Sequence, residues 1–152
     1  MKELKISLFN EKKTLEVGNN ISKYLFGGLL IFLKGELGSG KTTLTRGLIK
    51  GLGYKGSVKS PTYSLLEQYK FRKLNINHFD LYRFNTADEW ITSGFQEYLN
   101  NVDVNIIEWS EMANEILPIP DLEIKFSYVN DGRVINIKSF TEKGYKCLIK
   151  LS

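Results

Sequence analysis

An α/β fold is what this sequence predicts, on three observations. First, Leu29-Leu30-Ile31-Phe32-Leu33 is a short continuous apolar run of the kind a buried parallel strand carries. It leads into Gly35-Glu36-Leu37-Gly38-Ser39-Gly40-Lys41-Thr42, a complete G-x-x-x-x-G-K-[ST] loop, and then into a helical pattern with Leu44, Leu48, Ile49 and Leu52 on one face. Second, the strand-like runs Ile76–Asp80 and Val104–Glu108 each end in an acid. Third, alternating segments at Leu122–Tyr128 and Val134–Ser139 read as antiparallel strands. Together they describe a P-loop NTPase-like three-layer fold whose mixed sheet carries antiparallel additions, in one domain over residues 1–152.

The elements follow in order. Leu4, Ile6 and Leu8 give a first short strand. Leu15, Ile21, Tyr24 and Leu25 suggest a helix that Thr14 can cap, although Gly18, Asn19 and Asn20 weaken it. Strand 29–33, the glycine-rich loop and helix 43–52 come next, with Gly53 as a helix stop. From Thr62 the pattern has period two, with Tyr63, Leu65, Tyr69 and Phe71 on one face, read as core. A turn at Arg72-Lys73 leads into a second strand over 74–82, so that the two form a hairpin. Residues 86–99 read as a helix interrupted at Gly94, and 102–107 as a buried strand. The C-terminal strands, 122–128, 134–139 and 146–151, are joined by turns at 130–132 and 142–144.

The glycine-rich loop carries specific chemistry. Its glycines let successive backbone N–H groups turn inward onto phosphate oxygens, Lys41 reaches the β/γ-phosphates, and the Thr42 hydroxyl joins the shell of a Mg²⁺ ion. A loop of this kind needs a partner acid, since Mg²⁺ wants hard oxygen ligands and an attacking water must be positioned. Asp80 and Glu108, at strand ends, are the candidates, and the sequence leaves open which of them orients water. Ser60-Pro61-Thr62 fits a phosphate-sensing switch loop, and equally a turn before a capped strand start. His78, the only histidine, reads as structural beside Asp80. Trp109 fits a place over the site, a core position or a partner contact equally well.

Composition bounds the rest. At 152 residues the chain has room for one real core. The single Cys147 excludes a disulfide framework and a cysteine-based zinc site, and no apolar stretch approaches a membrane span. A soluble cytoplasmic protein, with no membrane partner, is therefore expected. The net charge of +4 is compatible with nucleic-acid contact without establishing it.

Four ordered segments also resemble a known family. Gly35–Thr43, Val58-Lys59-Ser60-Pro61-Thr62-Tyr63, His78-Phe79-Asp80-Leu81-Tyr82-Arg83 and Ile107-Glu108-Trp109 closely resemble the TsaE (YjeE) family, small bacterial ATPases needed for the threonylcarbamoyladenosine (t6A) modification of tRNA. Leu117-Pro118-Ile119-Pro120 and Asp131-Gly132-Arg133 extend the similarity. The resemblance implies a cytoplasmic ATPase with ATP and Mg²⁺ as cofactors, which docks on the TsaB–TsaD pair; an indirect or weak tRNA contact is compatible with it, and direct contact is left open. It implies that Gly35, Glu36, Leu37, Gly38, Ser39, Gly40, Lys41, Thr42 and Thr43 form the nucleotide loop. Glu108 then looks like a metal-associated acid beside Thr42, Asp80 the second acid and Thr62 the switch threonine. Thr14 and the hairpin around Gly132 and Arg133 are implied to reach the nucleotide.

The competing readings are thinner. A small-molecule kinase shares the loop but needs an acceptor pocket and usually an Arg-bearing lid, and no Arg-rich insertion is visible. A GTPase lacks its Asn/Thr-Lys-x-Asp and Asp-x-x-Gly elements. A nucleotide-dependent binding module would use the same loop with incidental hydrolysis. No residue is an obvious arginine finger, since Arg46 lies in the loop's helix and Arg83 or Arg133 would have to be brought in by the fold. Slow hydrolysis by the isolated chain is expected.

Overall fold

The computed structural model describes residues 2–152. Seven strands form one sheet in the order β1-β7-β6-β2-β5-β4-β3. They are β1 (Glu3–Leu8), β2 (Leu30–Lys34), β3 (Leu66–Lys70), β4 (Asn75–Asp80), β5 (Val104–Glu108), β6 (Leu122–Val129) and β7 (Gly132–Ser139). The four central strands, β6, β2, β5 and β4, run parallel, while β1, β7 and β3 add antiparallel edges. The expected mixed sheet with antiparallel additions is what the chain forms.

Alternation along the central strands creates two apolar layers, because successive side chains of a strand point to opposite faces. Ile31 and Leu33 of β2 join Val104 and Ile106 of β5 in one cluster, with α1 (Glu11–Ser22), α2 (Lys41–Gly51) and α4 (Glu142–Leu151) packed on it. Leu30, Phe32 and Ile107 point the other way. They meet a thinner layer made by α3 (Glu89–Thr92) and a 3₁₀ turn at Phe95–Tyr98. Fully buried Phe79 centres that layer, its ring 5.0 Å from those of both Trp90 and Phe95. Truncating so enclosed an aromatic costs about 3–5 kcal/mol.

Helices α1 and α2 touch backbone to backbone. A Cβ on Gly18 would lie 2.3 Å from the Leu44 carbonyl oxygen, and one on Gly47 would lie 2.3 Å from that of Leu15. Gly18, which counts against a helix by propensity, is therefore what lets this helix lie against its neighbour.

Several elements differ from their sequence reading. Helix α1 begins at Glu11, and its cap is Asn10, whose side chain accepts from the Lys13 N–H; Thr14 sits inside the helix with its hydroxyl on the Asn10 carbonyl. The helix expected over 86–99 survives only as α3 and the 3₁₀ turn, divided at Gly94 with φ +77°. The strand expected at 146–151 is α4, capped by Thr141, whose hydroxyl accepts from the Gly144 N–H. Gly144, Cys147, Leu148 and Leu151 share one helical face, with Gly144 against the Asp121 backbone where a Cβ has no room. The period-two run from Thr62 becomes a strand only at Leu66, and Tyr63 is 82% exposed rather than core. No helix among the described residues is long and apolar enough to cross a membrane.

Gly47→Ala forces α1 and α2 apart and is expected to cost about 1–3 kcal/mol, the range for overpacking a close contact. Thermal unfolding measures it, with Gly53→Ala, which has open space around it but a φ of +100°, as the control for backbone strain alone.

Candidate functional site

The parallel register builds the site. Asp80 pairs with Glu108 across β4 and β5, and Glu108 pairs with Leu33 across β5 and β2, so both acids fall in one row at the strands' C-terminal ends. Sites of open α/β sheets lie outside those ends. The loop after β2 and the start of α2 sit over the same row. A cavity of about 230 Å³ results, lined by Thr14, Leu37, Gly38, Gly40, Lys41, Thr42, Thr43, Thr62, Asp80, Glu108 and Arg133, and also by Glu11, Ser60 and Trp109.

Helix α2 opens at Lys41 with Gly40 left-handed (φ +112°), no side-chain cap and no acid in the first turn. Its first N–H groups have no partner within the helix, and its positive dipole end is uncompensated. Such a terminus takes an anion. Lys41 is 5% exposed, and its ammonium donates to the Gly35 carbonyl. It also lies 4.0 Å from Glu108 Oε1 and 4.3 Å from the centre of the Trp109 ring. Burial holds the Lys41 pKa below its usual value, against the opposing pull of Glu108, Asp80 and Glu111.

Glu108 is fixed from behind by His78, whose Nε2 stands 2.6 Å from Oε2. Asp80 Oδ1 accepts from the Tyr82 N–H at 2.9 Å, and Oδ2 from the Thr62 hydroxyl at 3.4 Å. Burial raises the Asp80 pKa, offset in part by that N–H. Thr62 is held by a turn that Leu65 N–H closes onto the Pro61 carbonyl at 2.7 Å. Leu65 itself is left-handed (φ +70°), and its carbonyl accepts from the Asp80 N–H at 3.0 Å. Trp109 is left-handed as well (φ +59°), a conformation that costs a non-glycine residue about 1–2 kcal/mol. Trp109 lines the cavity, and Leu65 holds the backbone of Asp80, which lines it too.

The expected site residues thus converge, with three qualifications. Gly35, Glu36 and Ser39 do not line the cavity; Gly35 meets it through the carbonyl that Lys41 uses, and exposed Glu36 borders an outer groove with Trp109. Arg133 reaches the rim over the Tyr128 ring at 5.2 Å, while Arg83 packs over exposed Tyr63 at 4.2 Å. Sequence reasoning missed Glu11, and it named Ser60 only as part of the Ser60-Pro61-Thr62 switch loop. Glu11 follows the cap Asn10, and recognising that cap would have turned it toward the helix's open end.

The donor set suits a polyphosphate. The first turn of α2, the Lys41 ammonium, the Thr42 and Thr43 side chains and the Asp80 and Glu108 carboxylates share one cavity. Carboxylates on the lining outnumber cations, Glu11, Asp80 and Glu108 against Lys41 and Arg133. A polyphosphate is therefore best accommodated together with a hard divalent cation. Among the described residues no three His, Cys, Asp or Glu side chains converge as a self-sufficient metal site. Such a cation would draw its remaining ligands from phosphate and water, as Mg²⁺ commonly does.

Comparison with known proteins gives a consistent result. Residues 8–135 match the family model described as threonylcarbamoyl adenosine biosynthesis protein TsaE. The chain is 43% identical over 116 residues to the tRNA threonylcarbamoyladenosine biosynthesis protein TsaE of Haemophilus influenzae, covering 76% of this chain and 73% of that protein. It is 34% identical over 131 residues to the Bacillus subtilis protein of the same name, covering 86% and 82%. The crystal structure of Bacillus subtilis YdiB superposes with a TM-score of 0.85 at 27% identity, over 99% of this chain and 94% of that one.

The Asp80 environment makes a stability prediction. Its folded pKa is raised, so the ionised form opposes folding above that pKa, and the penalty fades as pH falls through the folded and then the unfolded value. Asp80→Asn keeps the oxygen that accepts from Tyr82. It is expected to raise the melting temperature at neutral pH, the gain shrinking toward pH 4 (roughly the unperturbed carboxylate range).

Proposed function

The chain belongs to the TsaE family, and from that premise we propose that it is an ATP-binding, slowly hydrolysing, Mg²⁺-dependent ATPase. On this reading it supports formation of N6-threonylcarbamoyladenosine in tRNA by the TsaB–TsaD pair, in which TsaD transfers the threonylcarbamoyl group. The observation that carries the reading is the convergence of the uncapped α2 terminus, buried Lys41 and the opposed Asp80 and Glu108 in one cavity.

The roles follow from the chemistry. First-turn N–H groups of α2 and Lys41 bind the phosphates, with Lys41 exchanging the Gly35 carbonyl for a phosphate oxygen. Thr42 and Glu108 would hold Mg²⁺, and such an ion would supply charge neutralisation at the phosphates. Asp80 orients the water, since a burial-raised pKa brings a carboxylate closer to a useful proton acceptor. Thr62, bonded to Asp80 on a turn of its own, is the element that senses the γ-phosphate side. Arg133, Thr14 and Glu11 line the same cavity and are the candidates for contact with the rest of the nucleotide.

Slow turnover fits the position of the arginines. Arg133 lies at the rim on Tyr128 and Arg83 on Tyr63, and a well-placed arginine finger is worth about 10³–10⁵ in rate. A partner completes or times the site.

The test is Mg²⁺-dependent ATP hydrolysis by the pure chain, with and without TsaB–TsaD. A slow rate that the partners raise is expected, reduced at least about 100-fold in Lys41→Ala and Glu108→Ala, the scale for losing one charge-stabilising group. Rapid hydrolysis indifferent to the partners overturns the proposal. Phosphate transfer to a small-molecule acceptor replaces it with a kinase.

A further inference from the structure

His78 is the one histidine of the chain and is fully buried on β4. A histidine in an apolar interior is ordinarily satisfied at both nitrogens, because a buried polar atom without a partner costs free energy. Here Nδ1 has no partner, and the ring's polar contact is Nε2 on Glu108 Oε2 at 2.6 Å. The contact is therefore directed at one oxygen of one carboxylate. The other oxygen, Oε1, is the one nearer Lys41, at 4.0 Å. β4 and β5 are paired in parallel register, so the ring approaches Glu108 from a neighbouring strand inside a rigid sheet. A glutamate side chain has several staggered rotamers, and the ring on the next strand bonds one oxygen of the rotamer present.

We propose that His78 is a positioning residue: it donates from Nε2–H to Glu108 Oε2 and thereby presents Oε1, the oxygen nearer Lys41, to the cavity that Thr42 also lines, as a single preorganised metal ligand. This rests on the nucleotide-site reading above and adds to it the element that sets divalent-cation affinity. Partners behind a metal ligand fix its orientation, and their loss costs about ten- to a hundredfold in metal affinity. A buried histidine serving only as packing would leave that affinity unchanged on replacement by a side chain of similar size.

The experiment has two arms. In the first, Mn²⁺ is titrated into the protein–ADP complex and followed by electron paramagnetic resonance. His78→Leu should weaken Mn²⁺ about ten- to a hundredfold, with ADP affinity measured in EDTA unchanged. His78→Gln, whose amide nitrogen reaches the place of Nε2, should restore affinity to within about threefold of the native chain. Should His78→Leu fail to fold in a melting scan, His78→Gln is compared with His78→Asn, whose amide is too short to reach Glu108 and should behave as a loss. In the second arm, long-range ¹H–¹⁵N spectra of the ligand-free protein should show the sole imidazole as the Nε2–H tautomer, with ring signals that shift in Glu108→Gln. Native Mn²⁺ affinity in His78→Leu, or an Nδ1–H tautomer, overturns this proposal alone. Failure of the native chain to take up Mn²⁺ with ADP overturns the nucleotide reading and this one together.

Discussion

The site depends on how three charged side chains are kept inside the protein. Lys41, Asp80 and Glu108 are each about 95% or more buried. Removing an ion from water costs several kcal/mol unless opposite charges and hydrogen bonds replace the lost hydration. Here the replacement is local. Lys41 has the Gly35 carbonyl, Glu108 and the Trp109 ring; Glu108 has His78; Asp80 has the Tyr82 N–H and Thr62. Burial is the largest cause of both pKa shifts, Lys41 down and Asp80 up, and perturbed groups of this kind cluster at functional sites.

Most of the surrounding fold serves to hold that charge set. Parallel pairing of β2, β5 and β4 aligns Leu33, Glu108 and Asp80, and alternation turns both acids to the face that α2 covers. Helix α1 packs closely on α2 because Gly18 and Gly47 let the two backbones touch at those positions. The left-handed Leu65 and Trp109 turn the chain sharply at the cavity edge. In each case backbone convenience has yielded to placement of a side chain.

The antiparallel additions serve the periphery. The β6–β7 hairpin carries Arg133 to the cavity rim, and β3 presents the Thr62 turn beside Asp80. The opposite layer, centred on Phe79, braces β4 and β5 from behind. His78 and Phe79, adjacent in sequence, thus face different tasks: one addresses Glu108, the other fills the second core.

The glycine-rich loop, its strand and helix, the hairpin of β3 and β4, and the acids at strand ends were all legible in the residues, because each rests on local steric or periodic rules. Thr14 was misread as a cap because Asn10, three residues before Lys13, offers the same chemistry one turn earlier. The 146–151 segment reads as a strand until Gly144, Cys147, Leu148 and Leu151 are seen to share a face, and only the Asp121 backbone shows why that face needs a glycine. Tyr63 fits an alternating strand by pattern, yet the turn at Leu65 throws it into solvent. By itself, then, the sequence determined the central strand–loop–helix unit with its uncapped helix terminus, the acids at strand ends and the family. Tertiary structure decided that Asp80 faces Glu108, that Arg133 and Glu11 reach the cavity, and that His78 grips one carboxylate oxygen. Those depend on strand register and helix approach, which arise from contacts between residues far apart in the chain.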